Sequence, residues 1–220
     1  MPPGLPQRFC CEEDLALIGY DGGSAAADLT NLRKNGPRRE TQELIDVIVR
    51  HGVRGATVLD IGAGVGAVHL SLLAAGAALA VDVDASREYQ AAAREEAARR
   101  GVAAQVEYRF GDVVELAPEL PTADIVTLDS VICCYPYLDR LLDAAVLSRP
   151  RLVGIAYPRD AWFMIAFMRL YNAVMAVRRS LARYFIYRHE EVRRRLASHG
   201  YDQVHDGGSR VWRVAVFAPR

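Results

Sequence analysis

Residues Val58 to Gly66, read as Val-Leu-Asp-Ile-Gly-Ala-Gly-Val-Gly, decide the fold of this chain. Val58 and Leu59 form the short apolar run typical of a buried parallel strand, and the three glycines then interrupt it. The Ala/Leu-rich stretch from Ala67 to Ala75 predicts a helix directly afterwards. Glycine allows positive φ and leaves main chain open to a ligand, while a helix N-terminus offers unpaired N–H groups. This order of strand, loop and helix predicts a site for a nucleotide-like cofactor.

The spacing of the glycines indicates which cofactor. A dinucleotide fingerprint requires G-x-G-x-x-G, whereas here one residue separates each glycine from the next, and Asp60 stands two positions before the first. At this point the sequence resembles the class I S-adenosyl-L-methionine-dependent methyltransferases, whose first motif is similar to (V/L)-L-D-x-G-x-G-x-G. The resemblance implies that the cofactor contacts Asp60, Gly62, Ala63, Gly64 and Gly66.

An acidic residue after the second strand, Ala77 to Val83, is expected to accept hydrogen bonds from both ribose hydroxyls of the cofactor. Asp82 and Asp84 compete for this role. The stretch Asp84 to Tyr89 resembles the family's D-x-S-P-E-x sequence, with Arg87 in place of proline, and its spacing from the glycines also fits. Asp84 is therefore preferred, and Ala85 is expected beside the adenine.

Two later strand ends complete the expected site. In the resembled family a G-D-x sequence places its aspartate near the adenine amino group, and Gly111-Asp112-Val113 matches it. A purely structural role for Asp112, capping the next short helix, stays open. Asp129 follows the fourth strand, Ala123 to Leu128, where open α/β sheets bind ligands. We expect Asp129 to face the methionine end of the cofactor, and Tyr135 and Tyr137 to line an acceptor pocket.

The resemblance implies an in-line attack by an acceptor atom on the sulfonium methyl group, for which the protein supplies mainly proximity and alignment. A carboxylate acceptor needs no base, whereas a hydroxyl, amine or carbon acceptor can use one. The residue types that serve as bases occur at His69, Tyr135, Tyr157 and His189. Each is also a common packed or capping residue.

Composition restricts the remaining possibilities. The chain has 220 residues, with 27 basic and 27 acidic side chains, so no overall field recruits nucleic acid or an anionic membrane. Residues 1 to 9 are Pro-rich without a signal-peptide pattern, which favours a cytoplasmic protein. The cysteine doublets Cys10-Cys11 and Cys133-Cys134 lack C-x-x-C spacing, so thiols are expected and no metal site is predicted. A soft-metal site or a catalytic thiol is the alternative.

We predict one α/β domain over residues 1–220, with a Rossmann-like, doubly wound, seven-stranded sheet whose last strand is antiparallel. An N-terminal helical cap, residues 1–52, is expected to cover the cofactor cleft or to pack on the sheet edge. Its predicted helices are Glu12 to Tyr20, Ala25 to Arg33 and Arg38 to His51, with a break at Asp21-Gly22-Gly23-Ser24.

A helical insertion over residues 160–183 follows the fifth strand, Arg151 to Tyr157. Residues 161–177 are largely apolar, interrupted by Arg169 and Asn172, and are too short for a membrane span. We interpret the insertion as a lid over a flat or hydrophobic acceptor. A core helix, a homodimer contact and a membrane-surface contact are the alternatives. Arg178, Arg179 and Arg183 at its end either pair with an acidic acceptor or form a solvated helix end.

More loosely, the stretches GPRRETQELID, TVLDIGAGVGAVHLSLLAAGA and VTLDSVICCYPY resemble bacterial methyltransferases related to the magnesium-protoporphyrin O-methyltransferases. This resemblance implies a small-molecule acceptor that is aromatic, hydrophobic or tetrapyrrole-like. A cofactor-binding scaffold or sensor without transferase activity is one alternative. An RNA or protein methyltransferase is another, although Asp129-Ser130-Val131-Ile132 stands where glutamine and adenine-N6 methyltransferases have a sequence similar to N/D-P-P-(Y/F).

Overall fold

The computed structural model describes residues 22–177 and 184–220. Several sequence predictions lie outside these residues: the helix from Glu12 to Tyr20, the Cys10-Cys11 doublet, and Arg178, Arg179 and Arg183. The described chain forms one sheet of seven strands: β1 (Thr57–Ile61), β2 (Leu79–Asp84), β3 (Val106–Phe110), β4 (Ile125–Asp129), β5 (Leu152–Pro158), β6 (Tyr201–Gly208) and β7 (Trp212–Pro219).

The strands lie in the order β3-β2-β1-β4-β5-β7-β6. Strands β1 to β5 are mutually parallel, whereas β7 runs antiparallel to both β5 and β6. The chain therefore proceeds outward from β1 to β3, returns to the other side of β1 and proceeds outward again. The predicted seven-stranded α/β sheet with an antiparallel last strand is confirmed.

Eight α-helices accompany the sheet in the described residues: α1 (Gly22–Asn35), α2 (Arg39–Arg50), α3 (Ala67–Ala74), α4 (Arg87–Arg99), α5 (Val113–Leu116), α6 (Leu138–Val146), α7 (Trp162–Val177) and α8 (His189–Ser198). One core layer joins α2, α3 and the end of α4 to one face of the sheet. A second layer joins α5, α6 and α8 to the other face. The fold is thus doubly wound, with both faces of the parallel strands covered.

Side chains alternate between the two faces of the sheet along each strand, so that one strand contributes residues to both core layers. In β1, Val58 belongs to the first layer while Leu59 and Ile61 belong to the second, as the two-residue period of a strand requires. Gly154 in β5 lets α2 approach closely, since a Cβ there would lie 2.8 Å from Cδ1 of Leu44. Helix α2 therefore packs directly over β5 and β7, and its N-terminal residues reach the carboxyl end of β4.

Most predicted elements are present with ends shifted by one or two residues, but two predictions were wrong. Gly22 and Gly23 belong to α1 instead of breaking the chain. The sequence Asp206-Gly207-Gly208-Ser209 predicts a hairpin turn, yet β6 continues to Gly208. A register shift between Gln203 and His205 lengthens the pairing with β7.

The core-helix interpretation of residues 161–177 was also wrong. No described residue of α7 is buried, and several of its large apolar side chains are exposed. The helix is held at Asn172, whose side chain donates to the carbonyl of Tyr184 (2.7 Å) and accepts from its N–H (3.0 Å). No helix in residues 22–177 or 184–220 combines the length and the apolar character needed to cross a membrane.

Candidate cofactor site

A cleft of about 370 Å³ opens at the carboxyl ends of β1, β2 and β4. Strand order reverses between β1 and β4, and open α/β sheets bind ligands in the crevice at such a reversal. The cleft is lined by the glycine loop, by the ends of β2 and β4, and by the N-terminal helices. Its lining includes Asp28, Asn31, Arg38, Thr41, Asp60, Gly62, Ala63, Gly64, Asp84, Ala85, Asp112, Val113, Asp129, Ser130, Cys134 and Tyr135.

The glycine loop turns sharply from β1 into α3. All three glycines have positive φ, between 58° and 80°, a region that other residues enter at a cost of about 1–2 kcal/mol. A Cβ on Gly62 would lie 2.6 Å from Cγ2 of Val131, so glycine is also needed there for packing. Gly66 is the residue before α3 and is absent from the cleft lining. It shapes the turn, while Gly62, Ala63 and Gly64 form the surface.

Asp84 is fastened to this loop. Its Oδ2 accepts a hydrogen bond from the Gly64 N–H (2.9 Å), and its Oδ1 accepts one from the Ser86 N–H (2.8 Å). Burial raises the pKa of the Asp84 carboxyl, and these two N–H groups oppose the rise. Each carboxylate oxygen has a second lone pair, so the group retains acceptor capacity toward the cleft.

Asp82, the alternative ribose partner, does not line the cleft. Its side chain is fully buried, and its Oδ1 accepts a hydrogen bond from Nε2 of Gln90 (3.3 Å). Burial raises the pKa of Asp82 to about 7. Asp82 and Asp84 share one side of β2, because they are two residues apart, but only Asp84 lies at the carboxyl end of the strand.

Asp60 lines the cleft as a buried carboxylate with both oxygens engaged. Its Oδ1 accepts from the hydroxyl of Thr127 on β4 (2.6 Å), and its Oδ2 lies 2.9 Å from Nδ1 of His69 on α3. This network joins the strand before the glycine loop to the helix after it. The carboxylate predicted to contact the cofactor thus also holds the loop in shape.

Asp112 both caps α5 and faces the cleft. Its Oδ1 accepts from the N–H of Val114 (2.9 Å), and the Tyr135 hydroxyl donates to the carboxylate at 2.8 Å from Oδ2. The capping role considered from sequence is thus present. Val113 is buried behind it and completes that side of the lining.

Asp129 ends β4 and is held by two residues that begin α2. Oδ2 accepts from the Thr41 hydroxyl (2.5 Å), and Oδ1 accepts from Nη2 of Arg38 (3.1 Å). Burial raises the pKa of Asp129, while the Arg38 charge and the Thr41 hydrogen bond oppose the rise. Ser130, which follows, has φ of 69°, a strained conformation that is frequent at ligand sites. Arg38 also donates to the Ser130 hydroxyl.

Helix α1 forms the outer wall of the cleft. Asp28 accepts a hydrogen bond from the hydroxyl of Tyr89 on α4 (2.7 Å). Further along, Arg33 donates to Glu95 (2.8 Å) and to the buried Glu96 (2.9 Å). Three arginines, of which Arg99 contributes most, hold the pKa of Glu96 far below its usual range. These contacts hold α1 against α4, and the apolar side of α1 packs against Val65 of the glycine loop.

The four candidate bases do not come together. Tyr135 lines the cleft, whereas His69 is buried beneath the glycine loop beside Asp60. Tyr157 is buried in β5, and its hydroxyl lies 2.6 Å from Nδ1 of His189. Burial raises the pKa of Tyr157 and lowers that of His189. Neither residue belongs to the cleft lining, so of the four only Tyr135 is placed to touch a bound ligand.

The described cysteine doublet lies at the cleft wall. The Sγ atoms of Cys133 and Cys134 are 3.7 Å apart, and both point to the Ser130 carbonyl oxygen. The Cys134 hydrogen bond and burial raise the pKa of the Cys133 thiol well above its usual value, which opposes a reactive thiolate. Within the described ranges, no group of three or more His, Cys, Asp or Glu side chains is arranged to hold a metal ion.

Several lining residues had been given no role from sequence. Arg38 and Thr41 reach the end of β4 from α2, some 90 positions earlier in the chain, and Asp28 and Asn31 reach the cleft from α1. The Gly36-Pro37 turn is the one local signal for Arg38, because it predicts that the chain redirects just before this side chain. None of the described residues of α7 lines the cleft.

The residues present suit S-adenosylmethionine. Gly64 leaves its main chain open to the cleft, and a Cβ there would lie 3.7 Å from Cδ1 of Tyr89. Five carboxylates line the cleft, from Asp28, Asp60, Asp84, Asp112 and Asp129, while Arg38 is the basic residue among the lining side chains. Such a surface attracts a cationic sulfonium and ammonium, and it repels the two phosphates of a dinucleotide.

Comparisons with known proteins agree with this geometry. Residues 58–147 match the family model described as a methyltransferase domain. Among solved structures, magnesium protoporphyrin IX methyltransferase from Synechocystis PCC 6803, with bound S-adenosylhomocysteine, superimposes with a TM-score of 0.72 at 16% identity, covering 93% of this chain and 99% of that one. A putative sarcosine dimethylglycine methyltransferase from Galdieria sulphuraria gives a TM-score of 0.67 at 13% identity, covering 82% and 85%. At such identities these likenesses show the fold.

A curated relative adds sequence similarity over a shorter region. The release factor glutamine methyltransferase of Cereibacter sphaeroides is 35% identical over 117 residues, which are 53% of this chain and 39% of that protein. The chain thus aligns with well under half the length of this relative. The glycine loop and the strand order nevertheless agree with the match of residues 58–147 to a methyltransferase domain.

Proposed function

We propose that this protein transfers the methyl group of S-adenosylmethionine to a small-molecule acceptor that is aromatic, hydrophobic or tetrapyrrole-like. The observation that carries the proposal is the Asp84 carboxylate, bonded to the Gly64 N–H and lining the cleft. This arrangement suits a ligand with a ribose and a positive charge. When bound, the cofactor supplies an already activated methyl group, so the protein's own contribution is binding and alignment.

We assign the two ends of the cleft to two parts of the cofactor. Asp84, Ala85, Asp112 and Val113 surround the end at β2 and β3, which we assign to the adenosine. Asp129 and the loop after β1 lie at the end near β4, which we assign to the methionine part. Asp60 contributes through the loop that it holds. The acceptor then approaches from the side of Ser130, Cys134 and Tyr135.

The size of the cleft constrains where an acceptor lies. Its volume of about 370 Å³ is near the lower end of the range of about 300–1,000 Å³ for small-molecule sites. A cleft of this size holds one nucleotide-sized ligand, so a flat macrocycle has to lie across its mouth. Arg38 is half-exposed there, beside Asp129, with its guanidinium 4.8 Å from the centre of the Trp212 ring. An acceptor carboxylate fits this position because it can pair with the guanidinium.

A protein acceptor is the second candidate, favoured by the sequence relation to a glutamine methyltransferase. Against it, β4 ends in Asp129-Ser130-Val131-Ile132, without the prolines that such enzymes have at this position. Residues 132–134 form a single 3-10 turn, in which Ile132 and Cys133 are buried. We therefore favour the small-molecule acceptor.

Calorimetric titration of the protein with S-adenosylhomocysteine, with NAD as the control ligand, tests the cofactor site. We expect binding of the first and no heat from the second. Transfer of labelled methyl from S-adenosylmethionine is then measured with flat aromatic and tetrapyrrole carboxylates and, separately, with release-factor peptides. Labelling of the small carboxylates supports the proposal, and labelling of the peptides alone contradicts it. Cofactor binding without transfer to any acceptor would indicate a scaffold or sensor.

A further inference from the structure

Helix α7 presents a continuous apolar face to solvent. Phe163, Phe167, Leu170, Val174 and Val177 follow one another at spacings of four and three residues, which places them on one side of a helix. All five are exposed, Leu170 to 65% and Val177 to 84%, and Trp162 at the start of the helix is 80% exposed. The remaining exposed positions of this face are Ala166, Arg169 and Ala173.

The opposite side of α7 contacts the rest of the chain. Met164, Ile165, Met168, Tyr171, Asn172 and Met175 are half-buried, and Asn172 and Tyr171 join α7 to Tyr184. The orientation of the helix is thus fixed by its inner side, and the outer side is left as a strip about 24 Å long. Contiguous apolar surface of this kind marks a contact with another body.

The charge of the surrounding sequence indicates what kind of partner contacts this apolar face. Between residues 161 and 189 the chain has five arginines and no aspartate or glutamate, although the whole chain is neutral. Among the described residues of this stretch, Arg169 lies at the edge of the exposed face and is itself exposed, and Arg188 is an exposed residue directly before α8. A helix with a broad apolar face, basic residues and no acidic ones is typical of segments that lie in the interface of an anionic bilayer.

A second copy of the chain fits this face less well. A two-fold pairing of α7 would bring two such stretches together, each basic and without acidic residues to pair with. The anionic headgroups of a lipid surface supply the missing charge, while the acyl boundary accepts the aromatic side chains. Trp162, at the end of the strip, has the side chain most enriched at this boundary.

We propose that the exposed face of α7 binds the surface of anionic phospholipid membranes, lying in the interface without crossing it. Because β5 is parallel to β4 and leads into α7, the helix begins at the same edge of the sheet as the cleft. Membrane binding through α7 therefore brings that edge toward the lipid. The proposal does not depend on the reaction that the cleft supports.

Flotation of the full chain with lipid vesicles tests it. One set of vesicles is phosphatidylcholine, and the other contains about one third phosphatidylglycerol. We expect the protein to float with the anionic vesicles, to float much less with the neutral ones, and to be released as salt rises from about 0.05 M to about 0.5 M. Intrinsic fluorescence should shift to shorter wavelength on binding, as Trp162 leaves water.

The variant Phe163→Ser/Phe167→Ser/Leu170→Ser should bind anionic vesicles at least about tenfold more weakly. A matched control, Leu79→Ser/Leu147→Ser/Val204→Ser, removes three other exposed apolar side chains and should bind like the wild type. Circular dichroism checks that both variants fold. Equal binding of the two variants, or no wild-type binding to either vesicle, overturns the proposal. So does a dimer in sedimentation without lipid that only the α7 variant dissociates, since a second copy would then cover the face.

Discussion

The Asp84 carboxylate accepts a hydrogen bond from the Gly64 N–H at 2.9 Å, which fastens the end of β2 to the glycine loop after β1. Twenty residues separate these two groups in sequence, and both line the cleft. One side chain therefore shapes the loop and presents an acceptor to the ligand.

Replacing Asp84 should weaken cofactor binding selectively. Asp84→Asn removes a charged acceptor, whose hydrogen bonds contribute about 1.5–3 kcal/mol, so affinity for S-adenosylhomocysteine should fall roughly ten- to a hundredfold. Asp82→Asn is the matched control, because the same chemical change is made two residues earlier, outside the cleft. Its affinity should stay within about twofold of the wild type. Equal losses by calorimetry would refute the assignment of Asp84.

Gly64→Val should abolish cofactor binding. The substitution forces a β-branched residue into φ of 58° and places methyl groups where the ligand meets main chain. Gly101→Val is the control, because Gly101 has a similar φ of 72° and nothing within 4 Å of its added Cβ. Both variants should lose stability in thermal unfolding, but only the first should fail to bind S-adenosylhomocysteine. Normal binding by Gly64→Val would mean that the loop does not contact the ligand.

Substitutions of two tyrosines should distinguish a role in the cofactor cleft from a role in packing. Tyr135→Phe releases Asp112 from its hydroxyl partner, so affinity for S-adenosylhomocysteine should fall about two- to tenfold. Tyr157→Phe leaves the partly buried Nδ1 of His189 without its partner, so the free energy of unfolding should drop by about 1–3 kcal/mol with no change in affinity. A binding defect in Tyr157→Phe alone would reverse the two roles.

The pH dependence of stability should report on Asp82. Its pKa is about 7 in the folded chain against 3.8 for the free residue, so the folded state holds this proton more tightly. Stability should therefore fall as pH rises from about 4 to 7. The full penalty above pH 7 is on the order of 4 kcal/mol.

Asp82→Asn should remove that penalty, and its gain over the wild type in urea unfolding should grow between pH 4 and 7. The charged and polar groups that face Asp82, which are His69, Asp60, Asp84, Gln90 and Tyr108, are common to both proteins. Their effects on the free energy of unfolding therefore cancel largely in the difference. A difference in unfolding free energy that is independent of pH would show that Asp82 titrates normally.

Sequence predicted the sheet because its signals are local. The apolar run before Gly62 predicts a buried strand, the glycine spacing predicts the loop, and Ser86 caps α4 as its residue type suggests. These features depend on neighbours within a few positions. The strand order then followed from the family resemblance that the glycine loop carries.

The remainder of the site could not be predicted because its partners are distant in sequence. Arg38 meets Asp129 across 91 positions, and Arg33 meets Glu96 across 63. The candidate base His189 meets Tyr157 instead of the cleft, since both lie beside the β5–β7 half of the sheet. A histidine or tyrosine in the sequence can take part in proton transfer, but the fold determines which group it contacts.

Because the strand order reverses between β1 and β4, two separate stretches of chain form the two sides of the cleft. Strands β1 to β3 and their loops form the end of the cleft that we assign to the adenosine, while β4, β5 and the helices after them form the opposite end and include α7. The two sets meet at contacts such as Tyr135 with Asp112, but substitutions in the second set that lie away from these contacts, such as those on the exposed face of α7, should leave the first intact. During evolution, the acceptor and the surface that α7 contacts can therefore change while the methyl donor stays the same.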